Sequence, residues 1–233
     1  MSQDLSASFL GDLPWLRSRL LGWFRRHGRS YPWRELSNPF HVLLAEVLLR
    51  RTKEEQVLPV YRALVERYPD AVSLASARPP EIQRLIWSLG LHRRARDLVT
   101  MAAQVRDLHG GQVPRTRAEL IALPGVSDYV AGAVLSTAFH RNEWIVDTNV
   151  VRIFRRFFQL VLGAEGRRDR LIISLAREYA RGRSPAKANL ALIDHAALVC
   201  TSRAPRCLEC PLKTRCRYFI STAALAPQGN ETA

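Results

Sequence analysis

The five residues Leu123-Pro124-Gly125-Val126-Ser127 interrupt two helical patterns. The first pattern ends near Ala122, and the second continues from Val130 to Ala138 with apolar residues at helical spacing. A Pro-Gly pair predicts a tight turn. Such a turn exposes backbone N–H groups at the start of the next helix, where unpaired donors and the helix dipole favour an anion. The hairpin at residues 116–139 is therefore a candidate phosphate-binding site, although a Pro-Gly pair alone is also typical of a plain turn.

Helical spacing of apolar residues extends through nearly all of the 233 residues. No stretch alternates apolar and polar residues between hairpin turns, so we predict an all-α fold. Asn38 and Pro39 form an N-cap and N1 pair that begins a helix running to Leu48. Further helices are predicted at 14–27, 54–67, 80–88, 92–108, 116–122, 128–139, 148–161, 168–181 and 186–199. The residues from Thr222 to Ala233 are predicted to form a frayed tail.

The absence of a long polar linker favours two helical lobes over two tethered domains. One lobe is predicted to combine residues 1–36 with 141–233, and the other to span residues 37–140. We find no basic-then-apolar signal at the N-terminus and no apolar run of about 18 residues. These patterns predict a soluble, cytoplasmic protein that is not bound to a membrane.

The charge balance is strongly basic. Lys and Arg number 35 against 21 Asp and Glu, which gives a formal net charge of +14. Such a charge indicates a polyanionic partner, and nucleic acid is the first candidate. Nearly all of the positive charge is arginine, because the lysines are only Lys53, Lys187 and Lys213. The alternative interpretation is a surface that is rich in arginine without a specific partner.

All four cysteines of the chain lie in one segment, at Cys200, Cys207, Cys210 and Cys216. Their spacing is C-x6-C-x2-C-x5-C, which favours metal binding over disulfides in a cytosolic protein. Structural zinc sites usually contain two short Cys pairs, whereas this segment contains one short pair between two wider single positions. We therefore predict a [4Fe–4S] cluster in the loop 200–216, with zinc or free thiols as the alternatives.

Asp147 lies directly before a predicted helix, in the sequence Val146-Asp147-Thr148-Asn149. This position is typical of a helix N-cap. Capping does not exclude chemistry, so Asp147 is also a candidate catalytic carboxylate.

The Leu-Pro-Gly-Val hairpin, the Val-Asp-Thr-Asn segment and the four cysteines occur in the order found in the helix-hairpin-helix DNA glycosylases of the endonuclease III superfamily. The chain resembles this family over residues 14–218. The resemblance implies an all-α fold of two lobes, DNA bent across a cleft, a flipped nucleotide and an iron–sulfur cluster with a structural role. It also implies a nucleoid-associated monomer whose partner is double-stranded DNA with a mismatched or damaged base.

Two positions indicate a branch of this family. Tyr129 occupies the hairpin position that is lysine in the bifunctional endonuclease III branch. The segment Glu46–Thr52 resembles the segment that carries the catalytic glutamate of adenine glycosylases. It is closer to the thymine/uracil–guanine mismatch glycosylases, which share Leu-Leu-Arg-Arg-Thr and the hairpin tyrosine. A monofunctional glycosylase acting on T or U opposite G is predicted. The alternatives are an adenine glycosylase acting opposite guanine or oxidised guanine, and a non-catalytic DNA-binding iron–sulfur protein.

The resemblance also implies roles for individual residues. Asp147 would stabilise the cationic sugar and orient the attacking water, with Asn149 fixing its geometry. Tyr129 and Glu46 would bind the flipped base. The residues assigned to DNA contact are Leu91 as the intercalating wedge, Arg50 opposite the orphan base, and Gly125, Ser127 and Asn149. Core packing is the alternative for Leu91 and Tyr129, and a solvated helix face is the alternative for Arg50.

The hairpin departs from the family pattern at two positions. Ser127 replaces the usual glycine, and serine tolerates a positive φ less well. Asp128 follows, and an acidic group beside a phosphate is unfavourable. The sequence therefore predicts either weaker DNA binding through this hairpin or a different hairpin geometry.

Overall fold

A computed structural model describes residues 7–35, 38–90, 94–163 and 165–224. These residues form α-helices and no strands, which confirms the all-α prediction. The helices are α1 (Ala7–His27), α2 (Pro32–Glu35), α3 (Pro39–Leu48), α4 (Glu54–Arg67), α5 (Ala71–Ala75), α6 (Pro79–Leu85), α7 (Arg94–His109), α8 (Arg117–Ala122), α9 (Asp128–Thr137), α10 (Thr148–Phe158), α11 (Arg170–Ala180), α12 (Pro185–Leu198) and α13 (Arg217–Ala224). Single turns of 3-10 helix lie at Trp87–Leu89, Gly166–Arg168 and Cys207–Glu209. None of the described helices is both long and apolar enough to cross a membrane.

The chain divides into two compact units. The first unit combines Met1–Arg29 with Val146–Ala233 and contains α1 and α10–α13. The second unit is the continuous segment Ser30–Ile145 and contains α2–α9.

Helix α3 lies at the centre of the second unit. Its sequence is almost entirely apolar, and most of its side chains are buried against α2, α4 and α9. The side chain of Asn38 caps the helix by accepting hydrogen bonds from the backbone N–H groups of Phe40 at 3.0 Å and His41 at 3.4 Å. Pro39 occupies the first turn, where its missing N–H costs nothing. The N-cap and N1 prediction is therefore confirmed, and α3 is a rigid base for Glu46.

In the first unit, α1 packs against α11 and α12, and α10 packs against α11, α12 and α13. Helix α10 buries Ile153, Phe154, Phe157 and Phe158 on one face. Asp194 of α12 is fully buried, and Arg29 pairs with it through its guanidinium and its backbone N–H at 2.7–2.9 Å. A buried carboxylate requires such a partner, because its desolvation would otherwise be very costly. The packing fixes the position of α10 and of the residues that begin it.

Three helices lie outside the predicted set. Helices α2 and α5 are too short to give a periodic pattern, and α5 depends on a capping box in which Asp70 and Ser73 bond each other's backbone N–H groups. Helix α13 runs to Ala224, so Thr222 belongs to a helix rather than to a frayed tail. Residues 225–233 of the predicted tail lie outside the described residues.

Candidate functional site

The hairpin between α8 and α9 turns at Gly125. Gly125 has φ 81°, a left-handed conformation that glycine adopts without strain. Ser127 has φ −95° and ψ 168°, so its backbone is extended and the expectation that this position needs a positive φ is wrong. The serine hydroxyl instead caps α9 by accepting a hydrogen bond from Val130 N at 3.3 Å. The serine is therefore compatible with a regular hairpin.

Tyr129 and Glu46 both belong to the second unit, on α9 and α3. The ring of Tyr129 is half-buried and packs against the apolar core of that unit. Burial raises the pKa of Glu46 to about 7 and is only partly opposed by the positive charge of Arg34, while Glu54 raises the pKa further. Near neutral pH, Glu46 is therefore a carboxyl group that can donate a proton as well as accept a hydrogen bond.

Arg50 follows α3 and is held by the hairpin. Its Nη1 donates to the carbonyl oxygen of Gly125 at 2.7 Å, and its own carbonyl accepts from Nη1 of Arg94 at 2.8 Å. The next residue, Arg51, has φ 62°, which is unusual for a residue other than glycine. Leu91 lies outside the described residues; Gly90, which precedes it, has φ 65°. The structure thus links the Arg50 segment directly to the Gly125 turn.

Asp147 belongs to the first unit and begins α10. One of its carboxylate oxygens accepts from the backbone N–H groups of Asn149 at 2.9 Å and Val150 at 2.8 Å, so the predicted N-cap is confirmed. The other oxygen accepts from the side-chain amide of Asn149 at 2.7 Å. Both oxygens therefore have fixed positions.

Arg152 continues this arrangement, although no sequence motif predicts its role. Its Nη2 donates to the side-chain oxygen of Asn149 at 2.9 Å, and its Nε donates to the carbonyl oxygen of Cys200 at 2.8 Å. The only signal in the sequence is the i,i+3 spacing from Asn149, which places both side chains on one helix face. Arg152 connects the residues around Asp147 to the first cysteine of the loop.

The four cysteines line one cavity of the first unit, beneath α10 and the end of α12. Nη1 of Arg156 lies 3.3 Å from the sulfur of Cys200, and Nε2 of His195 lies 3.3 Å from the sulfur of Cys210. In the described part of the chain, no three His, Cys, Asp or Glu side chains are grouped closely enough to share one metal ion. A [4Fe–4S] cluster binds each of its four thiolates at a different iron, so four thiols spread around a cavity fit this group.

The surroundings of the thiols oppose ionisation unless a positive partner binds. Burial raises the pKa of Cys210 to about 12 and raises the pKa values of Cys207 and Cys216. The backbone N–H of Leu212 donates to Cys210, which partly offsets this shift. Binding of a metal requires the thiolates, so loading of this loop would release protons.

Comparison with known proteins identifies close relatives. A family model described as "HhH-GPD superfamily base excision DNA repair protein" matches residues 44–162. The thymine-DNA glycosylase of Aeropyrum pernix is 38% identical over 219 residues, which cover 90% of this chain and 96% of that protein. The thymine/uracil-DNA glycosylase of Pyrobaculum aerophilum is 37% identical over 216 residues, which cover 89% and 93% respectively.

The solved structure of a thermostable thymine-DNA glycosylase is similar with a TM-score of 0.83 and 30% identity, and the match covers 91% of this chain and 98% of that one. Adenine DNA glycosylases are similar as well. That of Buchnera aphidicola is 30% identical over 207 residues, which cover 87% of this chain and 58% of that protein.

Proposed function

Because the chain belongs to the HhH-GPD superfamily of base excision DNA repair proteins, we propose that it is a monofunctional DNA glycosylase. It hydrolyses the N-glycosidic bond of thymine or uracil opposite guanine in double-stranded DNA, and it acts as a monomer. The similarity to the Aeropyrum pernix thymine-DNA glycosylase over nearly the full length of both chains carries this proposal.

Asp147 acts on the sugar in the proposed reaction. A glycosylase must first extrude the nucleotide from the duplex, at a cost of a few kcal/mol that is smaller at a mismatch. As the bond to the base breaks, positive charge develops on the sugar, and a fixed carboxylate stabilises it and orients the attacking water. Asn149 and Val150 hold the carboxylate in one orientation through the hydrogen bonds described above. Water forms the new bond to the sugar carbon as Asp147 takes up its proton, and the base leaves with the bonding electron pair and is then protonated from solvent.

The leaving base is stabilised by Tyr129 and Glu46 in this proposal. A pyrimidine leaves as an anion, which hydrogen-bond donors stabilise. Tyr129 offers a phenol O–H, and the raised pKa of Glu46 provides a carboxyl O–H at neutral pH. Arg50 suits the acceptor edge of the orphan guanine, and Leu91 is the proposed wedge. Gly125 and Ser127 present backbone N–H groups to a DNA phosphate.

The chain does not offer a lysine at the hairpin position, because that position holds Tyr129. A lyase that proceeds through a Schiff base needs an amine nucleophile. Lys53 is the only lysine before residue 187. Borohydride should therefore trap no substantial enzyme–DNA adduct, and efficient trapping would contradict the monofunctional assignment.

Cys200, Cys207, Cys210 and Cys216 hold a [4Fe–4S] cluster in this proposal. The group would supply a covalent cross-link for a loop whose only regular structure is a single turn at Cys207–Glu209. The protein contributes the cavity, the Arg156 guanidinium beside Cys200 and the His195 ring beside Cys210.

Adenine excision opposite guanine or oxidised guanine is the second candidate. The raised pKa of Glu46 favours it, since an acid that protonates the purine assists the departure of adenine. The similarity to adenine glycosylases is consistent with this candidate but covers a smaller part of those proteins.

A base-excision panel tests the proposal. Labelled duplexes with T·G, U·G, A·G, A·oxoguanine and thymine glycol are incubated with the protein and then cleaved with hot alkali. Faster processing of T·G and U·G than of either adenine pair is expected, with Asp147→Asn as the inactive control. Release of adenine with T·G untouched would establish the second candidate. Cleavage of no duplex would support a non-catalytic DNA-binding protein.

A further inference from the structure

Arg117 of α8 connects the start of α9 and the segment that follows the hairpin through one guanidinium group. Its Nη1 donates to a carboxylate oxygen of Asp128 at 2.9 Å and to the Asp128 carbonyl at 3.0 Å. Its Nε and Nη2 donate to one oxygen of Glu143 at 3.1 and 2.7 Å. Nη2 also donates to the carbonyl oxygen of Trp144 at 2.8 Å. A planar guanidinium with several N–H donors holds its partners in a defined geometry and also compensates their negative charge.

The surroundings of Arg117 are closely packed. Its guanidinium lies over the Trp144 ring at 4.0 Å from the ring centre, and its side chain is only 18% exposed. Gly132 of α9 faces the same place, since a Cβ atom there would lie 2.1 Å from the Trp144 carbonyl oxygen and 2.9 Å from Nη2 of Arg117. Arg117 therefore occupies a defined position, unlike a solvated surface arginine.

Asp128 creates an electrostatic conflict in a hairpin that binds DNA. It is the first residue of α9, three positions after the Gly125 turn, and its side chain is 51% exposed. A carboxylate at a helix N-terminus is favourable for the helix itself. It repels a phosphate that approaches the same N-terminus, and this repulsion is stronger at low salt.

We propose that Arg117 is a positioning residue that makes the hairpin compatible with DNA by holding Asp128 as an ion pair. The guanidinium offsets the Asp128 carboxylate and keeps it bonded toward α8, so a phosphate can reach the backbone N–H groups at the start of α9. This inference rests on the proposed function, because it needs DNA as the ligand. It also explains how the acidic residue is accommodated without loss of the hairpin geometry.

A double-mutant cycle with Arg117→Gln and Asp128→Asn tests this inference. The probe is a fluorescent duplex with a tetrahydrofuran abasic analogue opposite guanine, which the protein cannot cleave, and Kd is measured by anisotropy at several KCl concentrations. Arg117→Gln should weaken binding about tenfold, which corresponds to about 1.4 kcal/mol. In the Asp128→Asn protein, the same change should weaken binding less than about threefold.

Two further variants separate charge from general damage. Arg117→Lys keeps the charge and should bind DNA more tightly than Arg117→Gln. Arg106→Gln removes a comparable arginine that is paired with Asp107 on α7, and it should leave the Kd within about twofold. The excision rate at saturating protein should stay within about threefold of wild type in the Arg117→Gln protein, because the Asp147 contacts are unchanged.

The inference would be overturned if Arg117→Gln lowered DNA affinity equally in the wild-type protein and in the Asp128→Asn protein. An equally large fall in the saturated excision rate would overturn it as well. If Arg117→Gln fails to fold, the Asp128→Asn protein is measured alone. Because the ion pair already offsets Asp128, its Kd should lie within about threefold of wild type, and a larger gain in affinity would overturn the inference. Failure of the wild-type protein to bind any duplex would contradict the proposed function instead.

Discussion

At the scale of single residues, Asp147 combines an observed task as a helix cap with a proposed task in catalysis. One oxygen caps α10, and the other is held by the Asn149 amide. A cap requires only an acceptor, whereas stabilisation of a cationic sugar requires the negative charge. The two tasks can therefore be separated by a change that keeps the acceptor and removes the charge.

Asp147→Asn is such a change. We expect single-turnover excision to fall by about 10²–10⁴, while DNA affinity changes little. The melting temperature should fall slightly, because the cap oxygen remains but the oxygen that accepts from the Asn149 amide is replaced by a donor. Asp169→Asn is the matched control, because Asp169 caps α11 with the same two kinds of backbone contact and has no proposed catalytic task. Excision at near the wild-type rate in the Asp147→Asn protein would reduce Asp147 to a cap.

Glu46 should make both stability and activity depend on pH. Its pKa is raised to about 7 in the folded protein from an ordinary value of 4.5, so the folded state binds this proton more tightly than the unfolded state does. Stability from this group is therefore full below about pH 4.5 and is lost as the pH rises through about 7. Urea unfolding at pH 5, 6.5 and 8 should show that wild type loses stability relative to Glu46→Gln as the pH rises.

The same series distinguishes the two candidate substrates. Excision of either base that uses the Glu46 O–H should decline above pH 7. Glu46→Gln should abolish only the excision of adenine, because the glutamine amide still donates a hydrogen bond to a leaving pyrimidine but cannot protonate a purine. Glu66→Gln on an exposed part of α4 is the control and should follow the wild-type stability profile. Identical pH profiles for wild type and Glu46→Gln would show that the carboxyl group of Glu46 titrates normally.

The residues of the candidate site differ in how far the sequence predicts them. Asp147, Asn149 and Gly125 lie in short motifs, so their local contacts follow from neighbours in the chain. Arg117 bonds Asp128, which is 11 positions away, and Arg152 bonds Cys200, which is 48 positions away. Such contacts depend on how helices pack, which the spacing of residue types does not specify. The expectation for Ser127 fails for a local reason. Gly125 has a positive φ in this turn, whereas Ser127 is extended.

At the scale of elements, the loop between α12 and α13 depends on its cysteines. The long helices were predictable because their apolar faces repeat over several turns, as in α4 at 54–67. The loop contains only a single turn of helix, so its path depends on side-chain contacts and, in the proposed function, on the cluster that its cysteines would hold. Leu212 is its one buried apolar side chain between Cys200 and Cys216.

Cys207→Ser tests this element. The wild-type protein should be brown and should contain about four iron atoms per chain, as expected for four thiolates on one cubane. The variant should lose the visible absorption and iron, and a loss of a few kcal/mol would lower the melting temperature by roughly 10 °C. Ser202→Ala in the same loop keeps the carbonyl that Arg156 contacts and should resemble wild type. Stoichiometric zinc without iron after anaerobic purification would overturn the cluster assignment.

At the scale of the whole molecule, the net charge of +14 should govern DNA affinity. Neutralisation of phosphates by arginine releases counterions, so binding weakens steeply with salt. For six or more phosphate contacts, affinity should fall by about 10³ or more between 50 and 200 mM KCl. Matched and mismatched duplexes should give the same slope in anisotropy titrations, because both present the same phosphates. DNA affinity that is independent of salt concentration would show that the arginine and lysine side chains do not contact DNA phosphates.

The route of the chain through the two units has a consequence for synthesis on the ribosome. Helix α1 emerges well before α11 and α12, against which it packs, and Arg29 pairs with Asp194 across 165 positions of sequence. The segment Ser30–Ile145 has its own core and can fold during translation. Until α12 has emerged, α1 presents Leu13, Leu16 and Leu20 without the helices that cover them in the finished protein. An interrupted chain would therefore display the uncovered apolar face of α1, which is a feature that chaperones and proteases recognise.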